Sequence, residues 1–202
     1  TSRVYMDFAF NYDDWKDFGD FLNKIKINAE VRPSTFDTHD IGFFAPKTAG
    51  MDNLLSFQCK VLGPVNELKI NDLNAYLGEN THLTGNLSLQ NITDFFNADI
   101  QEKLEKNEIN LADIQQFKLP NGKTIALPDF LKNLGTATAD IAYDGIISQK
   151  FKAVADVNTA AGQLSANIDA TPHVGDDGVD YMADVQSSGI NIRKLFPKAK
   201  LF

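Results

Sequence analysis

Few residues in this chain have the types and spacing that chemistry needs. Its three histidines, His39, His82 and His173, stand far apart, and none belongs to an H-x-x-x-H or comparable metal-ligand spacing. They are expected at the surface or in turns. Asp176, Asp177 and Asp180 offer oxygens near a glycine-rich turn, but without the ligand spacing of a calcium loop, so a solvated turn is expected. Asp13 and Asp14 read as helix-capping residues. The single cysteine, Cys59, has only Lys60 as a basic neighbour in sequence, and Lys60 points to the other side of an extended chain. A small buried hydrophobe is therefore expected there, not a nucleophile. The chain contains no G-x-S-x-G, no P-loop and no G-x-G-x-x-G. These residues argue against an enzyme and predict no catalytic group, no metal and no cofactor.

The informative signal is alternation. Leu55, Phe57, Cys59 and Val61 alternate with Ser56, Gln58 and Lys60. Leu68 and Ile70 stand against Glu67, Lys69 and Asn71, and Leu83, Leu87 and Leu89 against His82, Thr84, Asn86 and Ser88. A period of two gives an extended strand one apolar and one wet face. Gly63-Pro64 and Gly78-Glu79-Asn80 supply the turns, so 53–91 reads as a three-stranded meander. The same grammar predicts strands over Val4–Phe10, Ile25–Val31 (ended by Pro33), Phe95–Glu105, Lys123–Leu127, Ala137–Tyr143, Phe151–Val157, Leu164–Ala170 and Tyr181–Val185. Glu102 falls on the apolar side of its strand, which weakens the pattern beyond Ile100. Short helices are expected from Trp15 to about Asn23, from His39 to Phe44, from Leu111 to Phe117 and after Pro128. The aromatic residues around Trp15 and Phe43–Phe44 are candidates for a lid on the sheet.

Ten or eleven strands without long intervening helices indicate a mainly β, antiparallel architecture, not a parallel βαβ sheet. The 202 residues suffice for one domain, and 1–202 is read as a single β-rich segment. A net charge of −8 argues against nucleic acid and gives no steering toward anionic head groups. No apolar run of eighteen residues is present. The chain lacks an initial Met and a signal peptide, and the expectation is a piece of a longer protein.

The segment Thr38–Phe44 with the two residues after it (THDIGFFAP), followed by LGPVNELKINDLNAYLGENTHLTGNLSL, resembles the AsmA-like superfamily, and within it the TamB-like envelope proteins of the Bacteroidetes type. LPDFLKNLGTATADIAYDGIISQKFKAVADVNTAAGQLSANIDA and YMADVQSSGINIRKLF continue that phrasing over most of the chain. The resemblance implies an elongated curved antiparallel sheet, a half-pipe or β-taco-like groove with an apolar inner face. It implies a periplasmic location within a protein anchored in the inner membrane. Phospholipid acyl chains are the implied partner, with outer-membrane assembly proteins as a second. The groove residues would be Leu55, Phe57, Val61, Leu68, Ile70, Leu83, Leu87, Leu89, Ile141, Val157, Leu164 and Ile168. Alternation reports a buried face and not what buries it, so a closed β-sandwich, with a binding or adhesion function, stands as the alternative. A scaffold that binds polypeptide strands is a third reading. An open sheet would also leave edges prone to strand-edge self-association.

Overall fold

A computed structural model of the chain describes residues 2–43, 49–94, 97–127, 134–173 and 178–195. Ten strands form one antiparallel sheet in which each pairs only with its sequence neighbours, in the order β1 to β10. They are β1 (Met6–Asn11), β2 (Lys26–Asp37), β3 (Leu54–Gly63), β4 (Glu67–Leu77), β5 (Thr81–Gln90), β6 (Asp99–Asn110), β7 (Thr136–Ile146), β8 (Phe151–Thr159), β9 (Gly162–Pro172) and β10 (Val179–Ser188). The sheet does not close: β1 and β10 are its two edges. There is no second sheet, so the closed β-sandwich alternative is not formed among the described residues. The accessible surface is 13144 Å². A compact monomer of 22.3 kDa exposes about 9,400 Å², so this surface is roughly 40 % larger than the compact value.

Three bulges bend the sheet. They lie near mid-height on alternate strands: between Val31 and Ser34 of β2, between Ile70 and Leu73 of β4, and between Leu104 and Asn107 of β6. One extra residue on one strand raises local twist and bends that strand. Asp72 and Lys106 adopt φ of 52° and 56° to make the bend. The amide that each bulge frees is met by a neighbouring side chain. Asp72 N–H donates to Asn86 Oδ1 at 3.1 Å, Lys106 N–H to Asp140 Oδ1 at 2.6 Å, and Tyr5 N–H to Ser34 Oγ at 2.9 Å. Pro33 does not end β2, as the sequence predicts; it sits in the β2 bulge, where a missing N–H removes no ladder bond.

The result is a half-pipe whose apolar side is the sheltered one. Val154 and Val157 lie on the same strand, yet Val154, on the polar face, is 41 % exposed, while Val157, on the apolar face, is half-buried. Small residues of the apolar face, among them Ala29, Cys59, Ala137, Ala139 and Ala170, are buried between larger neighbours. Gly85 has the tightest surroundings on this face. A Cβ there would stand 2.1 Å from the Lys103 carbonyl oxygen and 2.8 Å from the Leu104 side chain. Gly85→Ala must therefore push β5 from β6, with an expected loss of about 2–3 kcal/mol, read as a lower urea midpoint.

Short helices occupy the strand ends. A 3-10 turn, Trp15–Asp20, begins with a capping box in which Asp14 accepts from Lys16 N–H at 2.9 Å and Asp17 reaches back to Asp14 N–H. It runs into α1, Phe21–Lys24. A second 3-10 turn, Thr38–Phe43, follows β2, with Asp37 accepting from His39 N–H. These pieces are no lid, because Trp15 and Phe43 are 74 % and 86 % exposed. Instead Phe21 meets Phe10 edge-on at 5.6 Å, extending an aromatic cluster at one end of β1. At the opposite end, α2 (Leu111–Gln116) presents Asp113 to the β4–β5 turn, accepting from Asn80 N–H at 2.9 Å.

β6 begins at Asp99 and runs to Asn110, later and longer than the alternation from Phe95 suggests; Phe95 and Phe96 lie outside the described residues. Lys123–Leu127 is not a strand: one bridge, Lys118 to Thr124, is all that forms there. Phe44, the helix expected after Pro128, and Asp176 with Asp177 also lie outside the described residues.

Candidate apolar groove

In an antiparallel sheet, residues directly opposite each other share a face. One cross-strand row can be followed through all ten strands: Phe8, Ala29, Val61, Ile70, Leu87, Glu102, Tyr143, Ala153, Ile168 and Ala183. Parallel rows flank it. Leu68, Leu89, Ile100, Gly145, Phe151, Ala170 and Tyr181 form one. Leu73, Gly85, Leu104, Ile141, Ala155, Ala166 and Val185 form another. Phe57 pairs with Ala75, which pairs with Leu83; Leu55 pairs with Leu77; Val157 pairs with Leu164.

Every residue expected in the groove is therefore on this one face. None of them is fully buried: Leu164 is exposed, and Leu55, Phe57, Val61, Leu68, Ile70, Leu83, Leu87, Leu89, Ile141, Val157 and Ile168 are half-buried. The opposite face carries the row Asn28, Leu62, Lys69, Ser88, Gln101, Asp144, Lys152, Asp169 and Met182. One wall is thus apolar across the sheet and the other largely polar. An apolar face this wide exceeds what a soluble monomer ordinarily leaves uncovered.

Several members of the face are not legible from the strict alternation. Leu73, Ala75 and Leu77 follow Leu68 and Ile70 at an odd spacing, because the bulge at Asp72 shifts the phase by one residue. The polar Asn71-Asp72 pair inside an otherwise apolar period is the available signal. Phe8, Phe10, Tyr143 and Phe151 show the alternation plainly but belong to the same face only through the register of their neighbours.

Glu102 is the polar member of the central row, between Leu87 and Tyr143. Burial pushes its carboxyl pKa up. Tyr143 is also raised, first by burial and then by the charges of Asp99 and Glu102. Its ring stacks on Phe151 at 5.3 Å, and its hydroxyl is buried without a hydrogen-bond partner among the described residues. A carboxyl whose pKa is higher folded than unfolded contributes stability at pH values below the unfolded pKa. That contribution is lost as pH rises through the folded value. Glu102→Gln should therefore match the wild type at about pH 4 and melt a few degrees higher at pH 8, the gain kept small by partial solvent access. Equal melting curves at both pH values would contradict this placement of Glu102.

The remaining candidates for chemistry are dispersed. Cys59 is buried on the apolar face, and burial raises its thiol pKa, so the thiolate is disfavoured. His39 is exposed in a 3-10 turn. His82 lies in β5, on the polar side that the alternation gives it, stacked on Tyr76 at 4.4 Å. His173 lies 3.1 Å from Asp180. Among the described residues, no three His, Cys, Asp or Glu side chains are grouped so as to hold a metal ion. No helix among them is long and apolar enough to cross a membrane. Comparison with known proteins returns no matching family model, no matching curated protein and no matching solved structure.

Proposed function

We propose that this chain is a non-enzymatic segment of an AsmA-like, TamB-like envelope protein, and that its open apolar face carries phospholipid acyl chains through the periplasm between inner and outer membrane. The observation that carries this reading is the apolar face itself, which runs over ten strands and is covered by no second layer among the described residues. At 4.8 Å between strands, it is about 45 Å wide. Each methylene removed from water contributes about 0.8 kcal/mol, so a dozen methylenes give a gross gain of about 10 kcal/mol before association costs. Head groups stay at the wet rim, and the net charge of −8 is compatible with that arrangement. The bare edges β1 and β10 favour a second reading, a scaffold that receives polypeptide strands during outer-membrane protein assembly. Native mass spectrometry with lipid extraction, on the chain produced in a bacterial envelope, separates the two. The lipid reading expects bound phospholipid; delipidated protein that takes up extended peptide and no phospholipid would replace it with the scaffold.

A further inference from the structure

The two edges of the sheet fit each other. In an antiparallel ladder, hydrogen-bonded pairs alternate with non-bonded ones. His173 N–H donates to the Gly178 carbonyl at 2.8 Å, in the register that pairs Val179 with Pro172. Val179 is thus a non-bonded position, and Tyr181, Ala183 and Val185 follow it in phase; their N–H and C=O groups point away from β9. At the other edge, Arg32 N–H donates to the Tyr5 carbonyl at 2.9 Å, in the register that pairs Met6 with Val31. Met6, Phe8 and Phe10 are then the outward-pointing positions of β1. On both edges, the residues offering free backbone groups are those whose side chains lie on the apolar face.

From this match we propose that a second copy of the chain adds its β1 to the β10 edge of the first, head to tail. With ten strands per copy, β1 of the second copy meets β10 of the first antiparallel. The apolar faces stay on the same side. Setting Phe8 opposite Tyr181 puts Met6 opposite Ala183 and Phe10 opposite Val179, with the end of β1 flush with the start of β10. This register also places Asp7 opposite Met182, Tyr5 opposite Asp184 and Ala9 opposite Asp180, so no like charges are directly opposite, and Asp7, diagonal to Asp180 and Asp184, is ion-paired with Arg32 of its own copy at 3.5 Å. Pairing two β10 edges would instead bring Asp180 and Asp184 of both copies onto one strip, and β10 has no basic residue to offset them. All ten residues of β10 are exposed, as are all six of β1. The joint is heterologous, so each pair keeps one free edge of each kind, and the groove lengthens with every copy. This proposal does not depend on what the groove carries.

Sedimentation on the delipidated chain tests it. Weight-average mass should at least double between ~10 µM and ~500 µM. Ala183→Pro and Phe8→Pro each remove one outward N–H that bonds to no strand within the copy, so each variant should fold and stay monomeric. An equimolar mixture should form dimers and nothing larger, through β10 of the Phe8→Pro chain and β1 of the Ala183→Pro chain. A wild type that stays monomeric overturns the proposal, as does a monomeric mixture. Assembly by the Phe8→Pro variant alone would show β10-to-β10 pairing, and by the Ala183→Pro variant alone β1-to-β1 pairing; either also overturns it. Amide exchange on the unaltered chain needs no variant. Amides of Met6, Phe8, Phe10, Val179, Tyr181 and Ala183 should gain at least tenfold protection at the high concentration, and unchanged exchange contradicts the joint.

Discussion

Leu87→Asp should weaken binding of a fluorescent long-chain fatty acid about 100-fold while leaving the β-sheet circular dichroism intact. Leu87 sits in the middle of the apolar face, between Ile70 and Glu102, and is half-buried. A carboxylate there keeps part of its water while no ligand is bound, because Leu87 is only half-buried and no second layer covers it among the described residues. When an acyl chain lies over it that water must leave, and a penalty of about 3 kcal/mol corresponds to the 100-fold loss. Phe57→Asp should act in the same direction, since Phe57 shares the face through Ala75 and Leu83. Ser88→Asp is the matched control: it neighbours Leu87 but lies in the polar row between Lys69 and Gln101. It should leave binding within about twofold. Global unfolding by Leu87→Asp, seen as lost dichroism at 25 °C, would mean that the face is a covered core.

Asn107→Ala should be the most destabilising of these single substitutions, costing about 3–4 kcal/mol in urea unfolding. Asn107 is fully buried at the β6 bulge. Its Oδ1 accepts from Thr84 N–H of β5 at 2.8 Å, and its Nδ2 donates to the Ala139 carbonyl of β7 at 3.0 Å. One amide side chain thus spans from strand to strand where the extra residue has broken the ladder. Truncation leaves a backbone donor and a backbone acceptor buried without partners, and each such group costs about 1–3 kcal/mol. Asn107→Asp, when ionised, keeps the acceptor for Thr84 N–H but loses the donor to the Ala139 carbonyl; when protonated its O–H restores that donor, so its loss should be smaller at low pH than at neutral pH. Equal midpoints for wild type and Asn107→Ala would remove the bulge bridge from the account.

The alternation of Leu55, Phe57, Cys59 and Val61 was enough to place β3, and the neighbouring Gly-containing turns placed β4 and β5. These are strands with one sheltered face, where a period of two is a physical necessity. What the period does not carry is the bulges, because one extra residue looks like a fault in the pattern. Asp72 and Lys106 are such places, as is Pro33, which reads as a stop and works as a bend. Glu102 weakens the pattern beyond Ile100 for another reason, since it is a charged residue in register on the apolar face, although β6 continues eight residues to Asn110. The assembly of the face was legible, since every expected groove residue lies on it. Its openness was not, because half-burial and full burial select the same apolar side chains. The two edges were equally out of reach, since the direction of a backbone N–H depends on register and not on residue type.

Photocrosslinking tests the groove most directly. A benzophenone side chain is placed, one position at a time, at Phe57, Leu87 and Ile141 on the apolar face, and at Lys69, Ser88 and Asp144 on the polar face. The chain is then irradiated in the bacterial envelope and its adducts are weighed. The account predicts phospholipid adducts at the first three positions and none at the second three. Adducts distributed equally over both faces, or confined to the polar one, would contradict it.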